Sequence, residues 1–346
     1  MQALEFDSKK KVLNITKKNI PEITDSHQVL VKVAYSGICG TDIHIIAGEF
    51  PCKDDSPVTM GHEFSGTVVK TGSDVTHVKV GDKVAVDPNN GCNVCYFCHS
   101  GSPHFCKIGG INNAVGIWRH GGWADYALVP DILVHLLPPT VSLKQGALSE
   151  PMSCVAHGWD RIAPVTVGQK ILITGAGIIG NLWVIVLHLQ GHRRVVVSEP
   201  NAQRRKIIEH LETGYECVAP EVLQERTKKD PNYLFDVIID CSGSPAAIQS
   251  GFGLLNYGGK FCLFGVAPPH ATVSISPFQL YAKEVTLYPV LVNPLTFPKS
   301  LGLLEALGDR YIDYEKLGIK TFKLSQYKEA LDELAKGKIG KAVFEF

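Results

Sequence analysis

The stretch KILITGAGIIGNLWVIVLHL, residues 170–189, decides how the larger part of this chain is expected to fold. An apolar run predicts a buried strand, and the segment after it has the periodicity of a helix. The glycines between them, Gly175, Gly177 and Gly180, follow the pattern G-x-G-x-x-G. In this context such glycines allow a tight turn and let the pyrophosphate of a dinucleotide approach the free N–H groups of the helix. The three glycines are therefore predicted cofactor contacts.

The same stretch has a second interpretation as a membrane span. Residues 171–191 are apolar over about the length that a bilayer requires. Three glycines divide this segment into a strand and a helix, however, and a spanning helix has no need of that spacing. We therefore expect no association with membranes.

Further units of strand and helix follow the glycine motif. Apolar runs at residues 194–198, 235–240 and 260–264 predict strands that are buried on both faces. Residues 202–211 and 245–255 predict helices between them. Strands that alternate with helices in this way form a doubly wound parallel sheet. The predicted fold class is α/β, with a Rossmann-type cofactor domain.

Glu199 ends the second strand of this domain, about twenty residues after the glycine motif. A carboxylate at this point accepts hydrogen bonds from the ribose hydroxyls and repels a phosphate on the same ribose, which favours NAD over NADP. Arg204 and Arg205 leave an alternative open, because either side chain can pair with a phosphate if Glu199 turns away. An exposed helix face is the simpler interpretation of both arginines.

The amino-terminal part of the chain is β-rich, with predicted strands at residues 63–71 and 78–86. A loop at residues 88–110 follows, in which neither helical nor strand periodicity holds. The expected division is 1–153 for a β-rich domain, 154–290 for the cofactor domain and 291–346 for a return to the first domain.

Four cysteines in this loop, Cys92, Cys95, Cys98 and Cys106, have the spacing C-x2-C-x2-C-x7-C. Four thiolates close a tetrahedron around one zinc ion, which would order a loop that has no core of its own. An iron–sulfur cluster is the rival interpretation, but the ferredoxin pattern has a shorter last gap and a proline after it. Uncoordinated loop cysteines are the third. The spacing favours a structural zinc.

A second group of candidate ligands comes from two short motifs, Cys39-Gly-Thr-Asp-Ile-His44 and Gly61-His62-Glu63. Together they offer a thiolate, an imidazole and a carboxylate. Three protein ligands leave a fourth position open, as a catalytic zinc needs. From these residues alone, a buried cysteine and a satisfied core histidine remain an equal alternative.

The bulk properties bound the choice of partner. The 346 residues contain 34 lysines and arginines and 34 aspartates and glutamates, so no net field attracts nucleic acid. The length predicts two domains and therefore a cleft between them. No apolar segment of the secretory kind follows the first lysines, which favours the cytoplasm. A small-molecule substrate is the expected partner.

Taken in order, these motifs resemble those of the zinc-containing medium-chain dehydrogenases. The two ligand motifs, the four-cysteine loop and Gly175-Ala-Gly-Ile-Ile-Gly180 occur in the order of that family, and the match spans nearly the whole chain. The resemblance implies a GroES-like catalytic domain, two zinc ions per chain and a nicotinamide cofactor. Glu150-Pro151 is similar to the polyol dehydrogenases of the family, whereas liver-type alcohol dehydrogenases have a zinc-binding cysteine nearby.

The resemblance also implies roles for single residues. Thr41 would accept the alcohol proton and pass it through the cofactor ribose to His44 and solvent. Glu150 would lie beside the catalytic zinc, with direct ligation left open. The ligands of this zinc would be Cys39, His62 and Glu63. The zinc acts as a Lewis acid that lowers the pKa of a hydroxyl group, and the nicotinamide accepts the hydride.

Four apolar or sulfur-bearing residues complete the cofactor site that the resemblance implies. Cys154 and Ile179 would pack near the nicotinamide, and Val266 and Leu291 would lie on its far side. On sequence alone the same residues fit an ordinary core equally well.

The substrate is less well defined than the reaction. In animal sorbitol dehydrogenases an arginine and a tyrosine contact the polyol, and the corresponding positions here are Val292 and Asn293. Loss of the arginine argues against sorbitol and leaves another sugar alcohol, such as an arabinitol or altritol. The alternatives are L-threonine and plain alcohols. A non-catalytic relative of structural type is a further alternative, which the intact zinc ligands disfavour.

Relatives of this type associate through the outer strand of the cofactor domain, here expected at residues 284–288. Pro289 limits how far backbone pairing runs past that strand. The expectation is a homo-oligomer, either a dimer or a tetramer.

Overall fold

The computed structural model describes residues 1–346, and its first part is dominated by strands. In chain order the elements are β1 (Gln2–Asp7), β2 (Val12–Lys17), β3 (Gln28–Gly37), α1 (Gly40–Ala47), β4 (Val58–Thr59), β5 (Phe64–Thr71), β6 (Lys83–Val86), α2 (Tyr96–His99), β7 (Tyr126–Pro130), β8 (Val134–Leu136), α3 (Leu143–Gly146) and α4 (Ser149–Ile162).

Strands and helices alternate through the second part of the chain. These elements are β9 (Ile171–Thr174), α5 (Ile178–Leu189), β10 (Val195–Ser198), α6 (Ala202–His210), β11 (Glu216–Val218), α7 (Pro220–Lys229), β12 (Phe235–Asp240), α8 (Pro245–Leu254), β13 (Leu255–Leu263), α9 (Pro277–Lys283) and β14 (Thr286–Pro289). The last elements are α10 (Phe297–Tyr311), β15 (Ile319–Phe322), α11 (Tyr327–Ala335) and β16 (Lys341–Glu345).

The second part forms one six-stranded sheet with the order β11-β10-β9-β12-β13-β14, and every pairing in it is parallel. This order places β9 at the point where the winding reverses, and in such sheets ligands bind at the carboxyl ends of the strands there. The predicted α/β class with a Rossmann-type sheet is confirmed. The glycine motif lies at this reversal, between β9 and α5.

The first part forms a second sheet, mainly antiparallel, with the order β15-β16-β3-β5-β6-β8 and with β7 also paired to β3. The carboxyl-terminal strands β15 and β16 therefore join the amino-terminal sheet. A third, small sheet contains β2, β1 and β4. The largest buried cluster begins at Ala85 and Leu137, beside the mainly antiparallel sheet. It continues through α4 to the six-stranded parallel sheet, here called the cofactor sheet, so α4 packs between the two sheets.

Two sequence predictions in the β-rich part differ from the structure. The strand expected at residues 78–86 begins only at Lys83, because Gly81 takes a left-handed φ of 95° in a turn that Asp82 closes by accepting from the Lys79 N–H. The helix α1 lies in the part of the chain that was expected to be β-rich and for which no helix was predicted. It ends where Gly48 adopts a φ of 78°.

The edge strand of the cofactor sheet is also displaced from its expected position. It covers Thr286–Pro289 and not residues 284–288, because Glu284 ends α9 in the left-handed conformation with a φ of 51°. The apolar stretch at residues 171–191 divides into β9 and α5, as the glycines predict. Across the whole chain, no helix combines the length and apolar character that a membrane crossing needs.

Candidate active site and cofactor cleft

The candidate ligands Cys39, His62 and Glu63 converge at one point of the β-rich part. Cys39 precedes α1, and His62 and Glu63 lie in the turn between β4 and β5. One donor atom from each of the three residues lies within 4.8 Å of the other two. Zinc takes such thiolate, imidazole and carboxylate ligands at about 2.0–2.3 Å, so this spacing fits one ion with an open fourth position.

Close backbone contacts fix the turn that carries His62 and Glu63. Gly61 has a φ of 92°, and a Cβ there would lie 2.2 Å from Trp123 Cδ1. The indole Nε1 of Trp123 in turn donates to the Gly37 carbonyl at 2.9 Å. Glycine at position 61 is therefore required by conformation and by space, which explains its place in the Gly-His-Glu motif.

Asp42 supports this cluster from α1 and has no exposed surface. Its Oδ2 accepts from the Cys39 N–H at 2.8 Å, and its Oδ1 lies 3.3 Å from His62 Nδ1. Burial alone lowers the pKa of His62, but the charges of Asp42 and Cys39 raise it well above its ordinary value. A carboxylate on one imidazole nitrogen fixes the ring so that the other nitrogen serves as a metal ligand.

Lys341 supports the cluster from the opposite end of the chain. It is 1% exposed at the start of β16, its Nζ forms an ion pair with Glu63 Oε2, and it donates to the Ile38 carbonyl at 3.2 Å. A Cβ at Gly37 would lie 2.1 Å from Glu63 Oε2, so glycine leaves the room for this pair. Burial lowers the pKa of Lys341, but the charges of Glu63, Cys39 and Glu150 together outweigh burial, so the net pKa is raised.

Glu150 begins the first turn of α4 and is buried at 8% exposure. Burial raises its pKa to about 7, with the His62 charge lowering it and the Glu63 charge raising it. Cys154, one turn later, donates its thiol to Glu150 Oε1 at 3.5 Å. Burial, followed by the Glu150 charge, holds the pKa of Cys154 well above its ordinary value. Glu150 therefore interacts through its charge with His62 and Glu63, and Cys154 lies beside Glu150.

Thr41 and His44 both lie on α1, directly after Cys39. His44 is about one third exposed, and its Nδ1 lies 2.6 Å from Glu49 Oε2. A carboxylate accepts only, so this contact assigns the proton to Nδ1 and leaves Nε2 to exchange protons. The helix therefore carries a hydroxyl beside the ligand Cys39 and an imidazole that reaches solvent.

A cavity of about 690 Å³ opens at the carboxyl ends of β9 and β10. Gly175 lines it with a φ of 98°, which only glycine adopts readily. A Cβ at Gly177 would meet nothing within 4 Å, which leaves room for a ligand at the start of α5. A Cβ at Gly180 would lie 2.0 Å from the Gly175 carbonyl oxygen, so this glycine lets helix and strand pack closely. The three glycines therefore meet the requirements of a pyrophosphate site.

Glu199 lines the same cavity at the end of β10. Its Oε2 accepts from the Ala176 N–H at 2.7 Å and its Oε1 from the Asn201 N–H at 2.8 Å. Each oxygen keeps a second lone pair for a ribose hydroxyl. Arg204 also lines the cavity, whereas Arg205 donates to the carbonyls of Glu199 and Pro200 and is thereby engaged.

The remaining expected cofactor contacts lie outside the lining of this cavity. Ile179 is in the first turn of α5, Val266 follows β13, and Leu291 follows β14. Val266 and Leu291 are 64% and 43% exposed, which is unusual for apolar residues of a core and leaves them accessible to a ligand.

The four cysteines of the loop form a second cluster, with all four Sγ atoms within 4.8 Å of one another. The Cys95 to Cys98 and Cys92 to Cys98 distances are 3.6 and 4.0 Å, close to the ~3.8 Å edge of a zinc–thiolate tetrahedron. Burial raises the pKa of Cys106, but hydrogen bonds from the backbone of Cys92 and Ile108 bring it down to about 6. This donor set fits one closed zinc site.

Sequence reasoning missed two of these residues as parts of the site. Asp42 was quoted within its motif without a role, although its position three residues after Cys39 is that of a helix-capping carboxylate. Lys341 carried no signal, because the residue it pairs with is far away in the chain and a lysine at the start of an apolar strand is ordinarily exposed.

Comparisons with known proteins agree with this geometry. Residues 25–139 match the alcohol dehydrogenase GroES-like domain, and residues 179–306 match the zinc-binding dehydrogenase family. D-arabinitol dehydrogenase 1 of Uromyces fabae is 32% identical over 97% of this chain and 94% of its own. The L-threonine 3-dehydrogenase of Caldanaerobacter subterraneus is 30% identical over 99% and 98%. A zinc-binding dehydrogenase of Sinorhizobium meliloti, solved with NADP, has a TM-score of 0.88 at 30% identity and covers 100% and 99%.

Fold, ligand clusters and these matches define a zinc-dependent oxidoreductase of the alcohol dehydrogenase type that uses a nicotinamide cofactor. The chain belongs to the zinc-containing medium-chain dehydrogenase family, and its similarity to the arabinitol enzyme groups it with the polyol branch. The predicted family is thereby confirmed. A small alcohol is accordingly the class of substrate.

Proposed function

We propose that the protein oxidises a secondary hydroxyl group of a polyol and transfers the hydride to NAD. The observation that carries this proposal is the convergence of Cys39, His62 and Glu63 beside the buried Glu150. These three donors leave one position for the substrate, and Glu150 offers an acceptor for a neighbouring hydroxyl. Two zinc ions per chain are proposed, one at this cluster and one at the four cysteines.

The chain's own residues supply the proton path. Zinc held at the cluster would lower the pKa of the substrate hydroxyl, and the nicotinamide would accept the hydride. Thr41, two residues after Cys39, would accept the hydroxyl proton as it donates its own, and His44 would release a proton to solvent from Nε2 while Glu49 holds the ring. Residues Cys154, Ile179, Val266 and Leu291 orient the nicotinamide through apolar contacts.

NAD is proposed as the preferred cofactor because Glu199 presents its carboxylate inside the cavity that the glycine motif borders. A phosphate on the adjacent ribose would meet this charge at close range. NADP is the second candidate, because Arg204 lines the same cavity and the similar Sinorhizobium protein was solved with NADP. The relative rates with the two cofactors decide between them.

L-threonine is the second candidate substrate, since a threonine dehydrogenase matches nearly the whole chain at 30% identity. A zwitterion needs a cation for its carboxylate. Lys341 is buried and already paired with Glu63, so it does not serve this purpose. The polyol is therefore favoured over the amino acid.

Initial rates of nicotinamide reduction test the proposal. The zinc-loaded protein is assayed with pentitols, hexitols, L-threonine and propan-2-ol, each with NAD and with NADP. We expect the highest kcat/KM for a polyol with NAD. A higher kcat/KM for threonine than for any polyol would show that threonine is the substrate. A higher kcat/KM with NADP than with NAD would show that NADP is the cofactor, and no turnover would refute the proposal.

The division of the chain and its assembly are proposed as well. The catalytic domain would comprise residues 1–153 and 291–346, and the cofactor domain residues 154–290. A homo-oligomer would form along β14, an edge strand on which Leu287 is 43% exposed. The preceding helix α9 also exposes apolar surface, with Phe278 at 74% and Tyr281 at 80%. A monomeric mass by light scattering at working concentration would exclude this assembly.

A further inference from the structure

A buried carboxylate lies behind the cofactor cavity without lining it. Asp240 ends β12, the strand beside β9 in the cofactor sheet, and has no exposed surface. All of its side-chain hydrogen bonds come from neutral groups. Aspartate is almost never fully buried without a partner, because a charge removed from water costs free energy. The groups that compensate this charge therefore indicate what the residue does.

Four donors surround the two carboxylate oxygens of Asp240. Its Oδ1 accepts from Thr174 Oγ1 at 2.7 Å, from Ser242 Oγ at 2.6 Å and from the Ser242 N–H at 3.2 Å. Its Oδ2 accepts from the Gly243 N–H at 3.1 Å. Hydrogen bonds to an ionised acceptor are stronger than those between neutral groups, so this set offsets the cost of burial.

The donors belong to two segments that border the cofactor cavity. Thr174 ends β9, directly before Gly175, and both residues line the cavity. Asp240 is the register partner of Thr174 on the neighbouring strand, which brings the hydroxyl to the carboxylate. Ser242 lines the cavity from the connection between β12 and α8. One carboxylate therefore connects the glycine turn to residues 242–244.

Hydrogen bonds, and not burial, hold the segment 242–244. Ser242 is exposed, and while its Oγ donates to Asp240 it accepts from the Ser244 N–H at 3.1 Å. Ser244 lines the cavity directly before α8. Gly243 has a φ of 63°, and a Cβ there would collide with the carbonyl oxygen of Val266. The segment therefore also contacts the loop that carries a proposed neighbour of the nicotinamide.

Asp236, four residues earlier on β12, offers a comparison within the same strand. Its Oδ2 accepts from the Lys170 N–H at 2.7 Å and its Oδ1 from Asn256 Nδ2 at 2.9 Å. Asp236 therefore also connects β12 to the residue before β9, but at the amino end of both strands, and neither it nor its partners line the cavity. Only the carboxylate at the carboxyl end has partners that border a ligand site.

We infer that Asp240 is a positioning residue for the cofactor, which holds the glycine turn and residues 242–244 in the arrangement that the dinucleotide binds. The inference rests on the proposed function, since it takes this cavity as the cofactor site. It adds a residue that the cofactor itself does not touch. Segments that are ordered in advance bind more tightly, because the ligand does not have to order them.

Calorimetric titration of the zinc-loaded protein with NADH and with NADPH tests the inference. Asp240→Asn keeps the shape, but its amide replaces one acceptor oxygen by a donor, so part of the donor set loses its acceptor. We expect the Kd of the cofactor that the wild type prefers to rise about tenfold, the value of one lost hydrogen bond to a charged group. At saturating cofactor, kcat should be unchanged. Asp236→Asn is the matched control and should leave the Kd unchanged. An equal rise of the Kd in both variants would show a general effect on the sheet and overturn the inference.

A second variant tests the same connection from the exposed end, where a change does not disturb the core. Ser242→Ala removes the hydroxyl between Asp240 and Ser244, and we expect the Kd to rise about threefold. In the Asp240→Asn background the same change should have a smaller effect, because the two residues act as a unit. Fully additive losses would mean that Ser242 acts without Asp240 and would count against the inference.

The outcomes separate the inference from the proposed function. If the wild type binds neither NADH nor NADPH, the proposed function fails and the inference with it. If the wild type binds one of them, and both Asp240→Asn and Ser242→Ala bind it equally well, the inference alone is overturned.

Discussion

The two ligand clusters of this chain are built in opposite ways. The four cysteines lie within residues 92–106, and each is held by neighbours in the same loop. A Cβ at Gly91 would lie 2.3 Å from Cys98 Sγ, so even the packing of this cluster is local. Cys39, His62 and Glu63 come from two connections, and their supports reach from Asp42 to Lys341 at the end of the chain.

The zinc proposed for the four cysteines would order the loop around it, whereas the zinc proposed for Cys39, His62 and Glu63 would bind to a site that is already ordered. Around the cysteine loop, side chains such as Val94 and Tyr96 are 75% and 79% exposed, and no apolar core holds the loop. The three-ligand cluster rests against buried elements, with Asp42, Glu63 and Lys341 at most 2% exposed. Metal removal should therefore unfold the first region and leave the second in place.

The largest expected effect is the loss of one loop cysteine. Cys98→Ser removes one of four thiolate ligands and should release the zinc from the loop. The loop would then lose the binding energy, about 10 kcal/mol at structural zinc sites, that keeps it folded. We expect rapid proteolytic cleavage within residues 88–110, measured by mass spectrometry after limited digestion. Cys39→Ser is the matched change in the other cluster and should abolish turnover without exposing that loop. Equal digestion of both variants would contradict the distinction between the two clusters.

The same distinction explains what sequence reasoning achieved. The loop cysteines and the glycine motif could be proposed from the sequence because their chemistry depends on spacing within about fifteen residues, and the structure brings the four cysteines together. The strands and helices around Gly175 also began and ended within a residue or two of their expected bounds, except for β13, which starts earlier. Local spacing is sufficient information where the structure itself is local.

The three-ligand cluster was proposed from motifs, but its supports were not. Nothing near Lys341 in the chain reveals that Gly37 leaves room for its ion pair with Glu63. A hydrogen bond to Asp87 likewise comes from Asn293, in a segment beyond the parallel sheet. Such contacts form only after distant strands pair, so no sequence window contains them.

The second prediction concerns the buried ion pair. Lys341→Met leaves the Glu63 carboxylate buried without its partner, which costs about 3–5 kcal/mol when nothing else compensates. Bound zinc compensates part of this charge, so the metal-free protein should lose more stability than the loaded one. Thermal midpoints with and without a chelator measure the difference. Lys338→Met removes the same charge from an exposed position and should change neither midpoint. Equal losses of stability in the metal-free and the zinc-loaded protein would show that the Lys341–Glu63 ion pair does not affect Glu63 as a metal ligand.

The third prediction concerns the orientation of one ligand. Asp42→Asn keeps the shape but removes the charge 3.3 Å from His62 Nδ1. Loss of such a partner lowers metal affinity about 10–100-fold. We expect one zinc per chain to be released at lower chelator concentration while the loop zinc is retained. Asp55→Asn, at an exposed carboxylate, is the control. Simultaneous loss of both ions would show that the clusters are coupled.

The smallest effect on stability is expected from Asp87, a buried carboxylate beside the cysteine loop. Asp87 lies between β6 and the cysteine loop, and burial raises its pKa to about 7, with hydrogen bonds from Asn89 and Asn293 opposing the shift. An unfolded aspartate is already ionised above pH 6, whereas the folded one still binds a proton. Its contribution to stability is therefore present at low pH and is lost as the pH rises through 7. Between pH 6 and pH 8 this loss amounts to about 1.4 kcal/mol.

Asp87→Asn removes this titration, so the free energy of unfolding should fall less between pH 6 and pH 8 in the variant than in the wild type. Denaturant unfolding of the zinc-loaded protein at both pH values measures the difference. Glu150, whose pKa is also raised to about 7, titrates in both proteins, so the difference between the two slopes, and not either slope alone, reports on Asp87. Parallel curves for the two proteins would mean that water reaches Asp87 in solution. The junction between the clusters would then be open, and the orientation of Asn293 would no longer depend on a desolvated carboxylate.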